Sequence, residues 1–297
     1  MWNQICEHIT TATSHTFTAN NPTSVGGGCI NQGYRLNDGD RSYFVKLNSA
    51  SQVAMFEAEA LGVKQMWETQ TIRVPKPICW GTAGNSAYIV LEWLDLGGRS
   101  NSQAMEKMGR QLARLHQWTP QPDYRGSQQF GWDINNTIGS TPQINTWTTD
   151  WGEFWRDHRI GYQLKLARRR GGTFENSDRL LDKIPELLSG HHPKPALVHG
   201  DLWGGNASVT HDGEPVIFDP AAYFGDREVD IAMTEVFGGF SPAFYQGYHQ
   251  VYPLDKGYSR RKILYNLYHI LNHFNLFGGS YGSQANQMIQ QILRSSI

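Results

Sequence analysis

Residues 197–220 read LVHGDLWGGNASVTHDGEPVIFDP, and the reading of this stretch decides the fold. Asp, Asn and Gly are ordinary turn residues, yet here they fall where apolar runs stop. PALV, at residues 195–198, reads as a short buried strand leading into His199, Gly200 and Asp201. ASVT and PVIF are two further strand-like runs flanking HDGE, with Asp212-Gly213 at the tip of a hairpin. With that pair as the centre of a two-residue turn, counting outward sets Asn206 opposite Asp219. Directly opposed residues of an antiparallel pair share a face, so an amide and a carboxylate project together. That arrangement can hold a hard cation through oxygen ligands. Asp201 lies five residues before Asn206, across a glycine-bearing loop, and approaches the same point.

An aspartate base, an asparagine ligand and a second aspartate ligand are the parts of kinase-like phosphotransferases. A bare D-x-x-x-x-N spacing occurs often by chance. Joined to a preceding histidine, a hairpin and a strand-ending aspartate, it becomes specific. Such an enzyme must also hold ATP, and the upstream sequence offers the parts in order. SVGGGCINQG, residues 24–33, places Gly26, Gly27 and Gly28 before the strand YRL, where backbone N–H groups can approach phosphates with no side chain in the way. Lys46 ends the alternating run SYFVKL, with Phe44 on its face, where a kinase carries its phosphate-pairing lysine. Alone, three glycines make a flexible turn, and a strand lysine is more often a surface charge. A carboxylate partner is expected on the next helix, and Glu57 and Glu59 flank its apolar stripe on opposite sides, so periodicity does not choose between them. AYIVLEWL supplies a hinge, with backbone groups near Glu92 and Leu94 for the adenine edge.

The rest of the chain sets the frame. Its 297 residues suffice for about two domains. A hydrophobic fraction of 39%, a charged fraction of 18% and a net charge of −1 are those of a soluble protein with neither nucleic acid nor an anionic membrane as main partner. The start MWNQICEHIT lacks a secretory pattern, and no apolar run is long enough for a bilayer, so a cytoplasmic protein is expected. Cys6, Cys29 and Cys79 are sparse and form no CxxC pair, which argues against a disulfide framework or a cysteine zinc site. The RRR run at residues 168–170 reads as a solvated helix end.

The first part is rich in strands: GYRLNDGDRSYFVKL is a hairpin around Asp38-Gly39, and SAYIVLEWL suits a buried strand. Between them Val53, Phe56, Ala60, Val63 and Trp67 recur at helical spacing, with Ser49 and Ser51 as candidate N-caps. From about Asn101 the pattern turns helical, with Met105, Met108, Leu112 and Leu115 as a core stripe. Helices are also expected in WGEFWRDHRIGYQLKLARRR and at residues 259–277. The fold class expected is α+β and bilobal, protein-kinase-like, with a small β-rich lobe (residues 1–96) and a larger, mostly helical lobe (residues 97–297) divided near LDLGGRS.

HGDLWGGN with IFDPAAYFGDREVDIAMT, together with GGGCIN, MFEAEALG and LYHILNHFNLFGGSY, resembles the fructosamine kinases (ketosamine-3-kinases), relatives of aminoglycoside and choline kinases, over nearly the whole chain. The tryptophan of HGDLW and DPA in place of DFG favour this branch. The resemblance implies ATP- and Mg²⁺-dependent phosphorylation of the sugar 3-hydroxyl of ketosamines, free or protein-linked, which promotes deglycation. It implies Asp201 as catalytic residue, Asn206 and Asp219 as magnesium ligands, Lys46 on the ATP phosphates and Glu59 as its partner. Trp203 and His273 become acceptor-site candidates. His269 and His273 sit one turn apart but lack the glutamate of a zinc H-E-x-x-H. Arg227, Glu228 and Asp230 of GDREVD read as structural ion pairs beneath the active-site loop. Cys29, inside the glycine-rich segment, is a candidate redox cysteine, which leaves a monomer or a Cys29-linked homodimer. Rival readings are a kinase of another small hydroxylated amine, a nucleotide-binding pseudokinase scaffold, and a metal-dependent hydrolase, the last leaving Lys46 and the glycines unexplained.

Overall fold

The computed structural model describes residues 1–26 and 30–294. Gly27, Gly28 and Cys29, and with them the expected Cys29 link, lie outside the described residues.

The chain opens with helix α1 (Trp2–Thr13), which the strand-rich reading of this region passed over. Ile5 and Ile9, one turn apart, are its fully buried anchors. Strands β1 (Thr23–Val25), β2 (Gln32–Asn37) and β3 (Ser42–Ser49) follow, then helix α2 (Val53–Thr69) and strands β4 (Pro77–Ala83) and β5 (Ser86–Glu92). The five strands form one antiparallel sheet in the order β1-β2-β3-β5-β4. Side chains alternate between the faces of a strand, and here both faces are covered. Tyr43, Val45, Leu47, Tyr88 and Val90 pack with Ile5 and Ile9 of α1, while Ala87, Ile89 and Leu91 pack with Phe56 and Ala60 of α2. This two-sided cover is why β5 reads as an unbroken apolar run.

The hairpin expected around Asp38-Gly39 is present, and one local expectation, the capping of α2, differs from the structure. The β2–β3 connection spans four residues, 38–41, with Asp38 accepting the N–H groups of Asp40 and Arg41. Neither Ser49 nor Ser51 caps α2. A 3₁₀ turn, Ala50–Gln52, intervenes, and the two hydroxyls bond each other at 3.0 Å.

After β5, residues 93–101 lead to helix α3 (Ser102–Gln117), capped by the Asn101 side chain on the Ala104 N–H. A short hairpin follows, β6 (Asn136–Ile138) with β7 (Thr141–Gln143). Residues 151–169 form one helical run: α4 (Trp151–Phe154), a π-helical segment (Trp155–Gly161) and α5 (Tyr162–Arg169). Helix α6 (Ser177–Leu188) precedes strands β8 (Ala196–Val198), β9 (Ala207–Val209), β10 (Pro215–Ile217) and β11 (Tyr223–Gly225). Helices α7 (Glu228–Thr234), α8 (Pro242–Val251), α9 (Tyr258–Phe277) and α10 (Tyr281–Arg294) complete the chain, the last lying beyond the helix expected at residues 259–277.

The larger core lies among these helices. Met108, Leu112 and Leu115 of α3 are buried in it, as expected, beside Phe244 and Tyr248 of α8 and the central turns of α9. Gly109 and Gly247 let α3 and α8 approach backbone to backbone, since a Cβ on either would lie 2.0 Å from a carbonyl oxygen of the other helix. No described helix is long and apolar enough to cross a membrane.

The segment joining the sheet to the helices is stitched to the β9–β10 hairpin. Leu96 bridges Thr210, Gly97 and Gly98 donate to the Val209 carbonyl, and His211 donates to the Asp95 carbonyl. The joint and the hairpin are one piece.

Candidate active site

The β9–β10 hairpin corrects the expected register by one residue. Pairing runs Val209–Pro215, Ser208–Val216 and Ala207–Ile217, and Phe218, not Asp219, donates to the Asn206 carbonyl at 3.0 Å. The tip is a three-residue loop, His211-Asp212-Gly213, closed by Thr210 N–H to the Glu214 carbonyl. Gly213 takes the left-handed conformation (φ +85°) that such a loop requires. Asp219 therefore lies one residue beyond the ladder, with its own backbone at φ +58°.

The structure gathers the charged residues singled out in the sequence. Lys46 projects from β3 on the face shared with Phe44, and its ammonium lies 2.6 Å from Glu59 on α2 and 2.6 Å from Asp219. Glu57, one of the two open choices, is exposed. Burial opposes the charge on Lys46, but Asp219 and Glu59 together outweigh it, so its pKa stands above the ordinary value. Glu92 ends β5 with its N–H on the Lys76 carbonyl at 2.8 Å, and its carboxylate holds Arg73 and the Lys76 N–H. Leu94 gives its carbonyl to Leu96, while its N–H has no partner among the described residues. Gly26 is exposed, and a Cβ there would meet nothing within 4 Å, so packing gives no reason for a glycine.

Asp201 is held from below. The buried Asp230 carboxylate accepts the N–H groups of His199 (2.7 Å) and Gly200 (2.8 Å) and the Nε2 of His116 (3.0 Å). The ion-pair reading of GDREVD thus gave Asp230 too small a part, since it fixes the backbone of the loop itself. Glu228 is the ion-pair member, bidentate with Arg261. Arg227 pairs with no carboxylate among the described residues; it donates to the Tyr252 and Pro253 carbonyls. His199, fully buried, is held below its usual pKa chiefly by that burial. Its neutral ring donates from Nε2 to the Phe218 carbonyl (2.9 Å) and accepts the Asp201 N–H at Nδ1 (3.3 Å). The histidine thereby ties the loop that carries Asp201 to the strand end that carries Asp219. Gly200, at φ +78°, leaves no room for a Cβ, which would lie 2.2 Å from the Ala221 carbonyl oxygen.

Asn206 turns its amide NH₂ toward Asp201, 2.9 Å from the carbonyl and 3.2 Å from a carboxylate oxygen. That orientation leaves the Asn206 Oδ1 without a hydrogen bond among the described residues. Burial first, then the charge of nearby Asp219, push the Asp201 carboxyl up to about 7 against the Asn206 hydrogen bond. Two carboxylates, Glu59 and Asp219, thus hold one lysine, and the charge of Asp219 is also felt by Asp201. The donor set left over is all oxygen, the kind that suits Mg²⁺, and a divalent cation there would relieve the repulsion between Asp201 and Asp219.

Beside Asp201 an aromatic wall begins. The Trp203 ring folds over Gly205, where a Cβ would lie 2.3 Å from it, and is 41% exposed. Its edge meets Phe237 at 6.4 Å, and Phe237 lies 4.7 Å from His273. The two acceptor-site candidates are therefore joined through Phe237, which the sequence reading missed because it stands in an irregular segment with no periodic signal. His273 donates Nδ1–H to the His269 carbonyl (2.8 Å), and burial lowers its pKa, so the ring is neutral with Nε2 left over.

The family model for fructosamine kinase matches residues 1–295. The chain belongs to the fructosamine kinase family. A Synechocystis protein named "Probable ketoamine kinase" is 57% identical over 293 residues, covering 99% of this chain and 97% of its own. The chloroplastic protein-ribulosamine 3-kinase of Arabidopsis thaliana is 46% identical over 91% of this chain and 82% of its own. A crystal structure carrying the name fructosamine-3-kinase, from Haemophilus somnus, superposes with a TM-score of 0.91 at 32% identity, over 99% of this chain and 98% of that one. The architecture is thus the bilobal kinase-like fold of this family, with a smaller β-rich N-terminal region and a larger helical C-terminal one.

Proposed function

We propose that this protein is an ATP-dependent kinase that phosphorylates the sugar 3-hydroxyl of ketosamines, the fructosamine or ribulosamine adducts of amines and protein lysines. The observation that carries the reading is the convergence of Lys46, Glu59, Asp219, Asn206 and Asp201 at one point in a chain matched end to end by the family.

Phosphoryl transfer demands positioning and charge neutralisation more than covalent help. Asp201 accepts a hydrogen bond from the acceptor hydroxyl, orients its oxygen and takes its proton as the phosphoryl group passes over. A carboxyl with its pKa raised to about 7 is a stronger base than an exposed aspartate. Lys46 holds the phosphates of ATP, and Glu59 keeps the ammonium in place from α2. Asn206 Oδ1 and Asp219 are the ligands for Mg²⁺, which when bound neutralises charge on the phosphates. Glu92 and Leu94 offer backbone groups to the adenine. Trp203 and Phe237 form an apolar wall on which the sugar face stacks, and His273 Nε2 is an acceptor for a sugar hydroxyl. Residues 1–96 and 97–297 then act as the nucleotide-holding and acceptor-holding lobes.

The test is mass-spectrometric detection of one phosphate added to a fructosyl-lysine or ribulosyl-lysine peptide with enzyme, ATP and Mg²⁺, with choline and an aminoglycoside as parallel acceptors. Phosphate on choline or the aminoglycoside alone refutes the ketosamine assignment. ATP binding with no transfer to any acceptor refutes the enzyme.

A further inference from the structure

The segment that follows Asp219 is gripped from two sides, and only one grip belongs to the catalytic loop. On that side Ala221 donates to the His199 carbonyl at 2.9 Å. On the other side stand side-chain amides of the β6–β7 hairpin. Gln143 Nε2 donates to the Ala221 carbonyl (3.0 Å) and to Asn136 Oδ1 (2.9 Å), while Asn136 Nδ2 donates to the Ala222 carbonyl (2.9 Å). The outer ends of this network are also tied. Tyr268 of α9 donates its hydroxyl to Gln143 Oε1 (2.7 Å), and Asn145 Nδ2 donates to Asn136 Oδ1 (2.8 Å). Arg159, fully buried in the π-helical segment with its guanidinium over Tyr223 at 4.1 Å, donates to Asn145 Oδ1 (2.9 Å). Gln143 is 1% exposed and uses both its amide N–H₂ and its carbonyl.

A buried network whose amides at Gln143, Asn136 and Asn145 are all bonded fixes one geometry, and the segment it grips needs fixing. Asp219 sits at φ +58° directly before Pro220, a left-handed conformation that a side chain disfavours and that persists only when the surroundings impose it. Pro220 has no N–H of its own to anchor the turn.

We infer that Gln143, backed by Asn136 and Tyr268, is a positioning residue for the transfer reaction: through the Ala221 carbonyl it sets the backbone that presents the Asp219 carboxylate to the cation. The inference rests on the reading of Asp219 as a metal ligand. Hydrogen-bonded supports of metal ligands typically affect affinity by about 10–100-fold. Replacing Gln143→Leu keeps an apolar side chain of similar bulk and removes both donors and the acceptor. Tyr268→Phe removes only the tie on Oε1 and is the milder variant.

Two measurements test it. In the nucleotide-free and metal-free protein, hydrogen–deuterium exchange of the peptide spanning residues 218–225 reports how firmly the segment is held. Electron paramagnetic resonance of Mn²⁺ with enzyme and ADP reports the metal site. Gln143→Leu is expected to exchange faster in that peptide and to bind Mn²⁺ about tenfold or more weakly, with kcat lowered and the acceptor KM little changed. Tyr268→Phe is expected to move every readout the same way by a smaller factor, and it decides the question if Gln143→Leu does not fold. Unchanged exchange and unchanged Mn²⁺ affinity in a folded variant, whatever its melting temperature, would overturn the inference. Asp219→Ala separates the two levels. If it binds Mn²⁺ normally, the metal reading falls. If it loses the metal while Gln143→Leu and Tyr268→Phe keep it, only the positioning role falls.

Discussion

Two short hairpins press on the same few residues, 219–222, from opposite sides. The β9–β10 hairpin brings Asn206 toward Asp201 and ends in Asp219, whereas the β6–β7 hairpin brings Asn136 and Gln143 onto the carbonyls of Ala221 and Ala222. The first works through charged and oxygen-donor groups, to which the proposed function gives the cation, and that chemistry constrains their spacing. The second works through neutral amides whose partners are backbone atoms more than 70 residues away. Chemistry leaves a mark in sequence at the first hairpin, and support leaves almost none at the second. Perturbing one side at a time should therefore separate turnover from architecture.

The largest effect belongs to Asp201→Asn. Turnover should fall roughly a hundredfold to ten-thousandfold, the span for losing a general base, while ATP affinity changes little. Stability should move the other way. An acid whose folded pKa is raised to about 7 costs the native state increasingly as pH rises from about 4 to about 7. The variant should thus melt at or above the wild-type temperature at pH 8, with the gap closing toward pH 4. Calorimetry across that range checks the sign, and a variant that melts lower at pH 8 would blur the line between the two hairpins.

Asp230→Ala should hit turnover and architecture together. It strips a buried carboxylate from two loop N–H groups and His116, and breaking a buried pair of this kind costs about 3–5 kcal/mol. Urea unfolding measures the loss. A midpoint equal to wild type would show that the loop does not depend on Asp230.

Phe237→Ala is a smaller test of the wall beside Trp203. Aromatic contacts are worth about 0.5–1.5 kcal/mol beyond burial, so the acceptor KM should rise roughly two- to tenfold with the ATP KM unchanged. If the ATP KM moves instead, Phe237 does not face the acceptor.

The smallest effect is expected at His191, which bonds Asp226 and none of the candidate site's residues. Burial opposes its charge, but the Asp226 hydrogen bond and charge prevail and raise its pKa. A histidine with a raised folded pKa stabilises most below its unfolded value of about 6.5, and the contribution is lost as pH rises through the folded pKa. The wild-type advantage over His191→Gln in melting temperature should be greatest below pH 6.5 and shrink on going alkaline. A constant gap would mean that the pair contributes only its neutral hydrogen bond.

The limits of what could be read from the chain have physical causes. Lys46, Asp201, Asn206 and Asp219 were legible because each sits at the end of an apolar run, where a charge needs a reason. The register of Asn206 against Asp219 was missed by one residue, since Gly213 fits a two-residue or a three-residue loop equally well and only tertiary packing chooses. Glu59 was separable from Glu57 by resemblance alone, because both flank the stripe of α2. Helix α1 went unread, though Ile5 and Ile9 stand one turn apart. Phe237 and Gln143 carry no periodicity and no charge, and their roles appear only when distant segments meet.

Lys46 shows what such meeting does for a ligand. Its ammonium is already out of water, with Glu59 from the sheet side and Asp219 from the helical side each at 2.6 Å. An arriving phosphate oxygen does not have to strip a hydrated cation or order a free side chain. On the proposed function it would trade places with one carboxylate while the other keeps hold, so recognition at this point would be an exchange of anions at a site prepared during folding. On the proposed function, Asp219 released in that exchange would be free to serve as a ligand of the cation, so nucleotide and cation would favour each other's arrival through a single side chain.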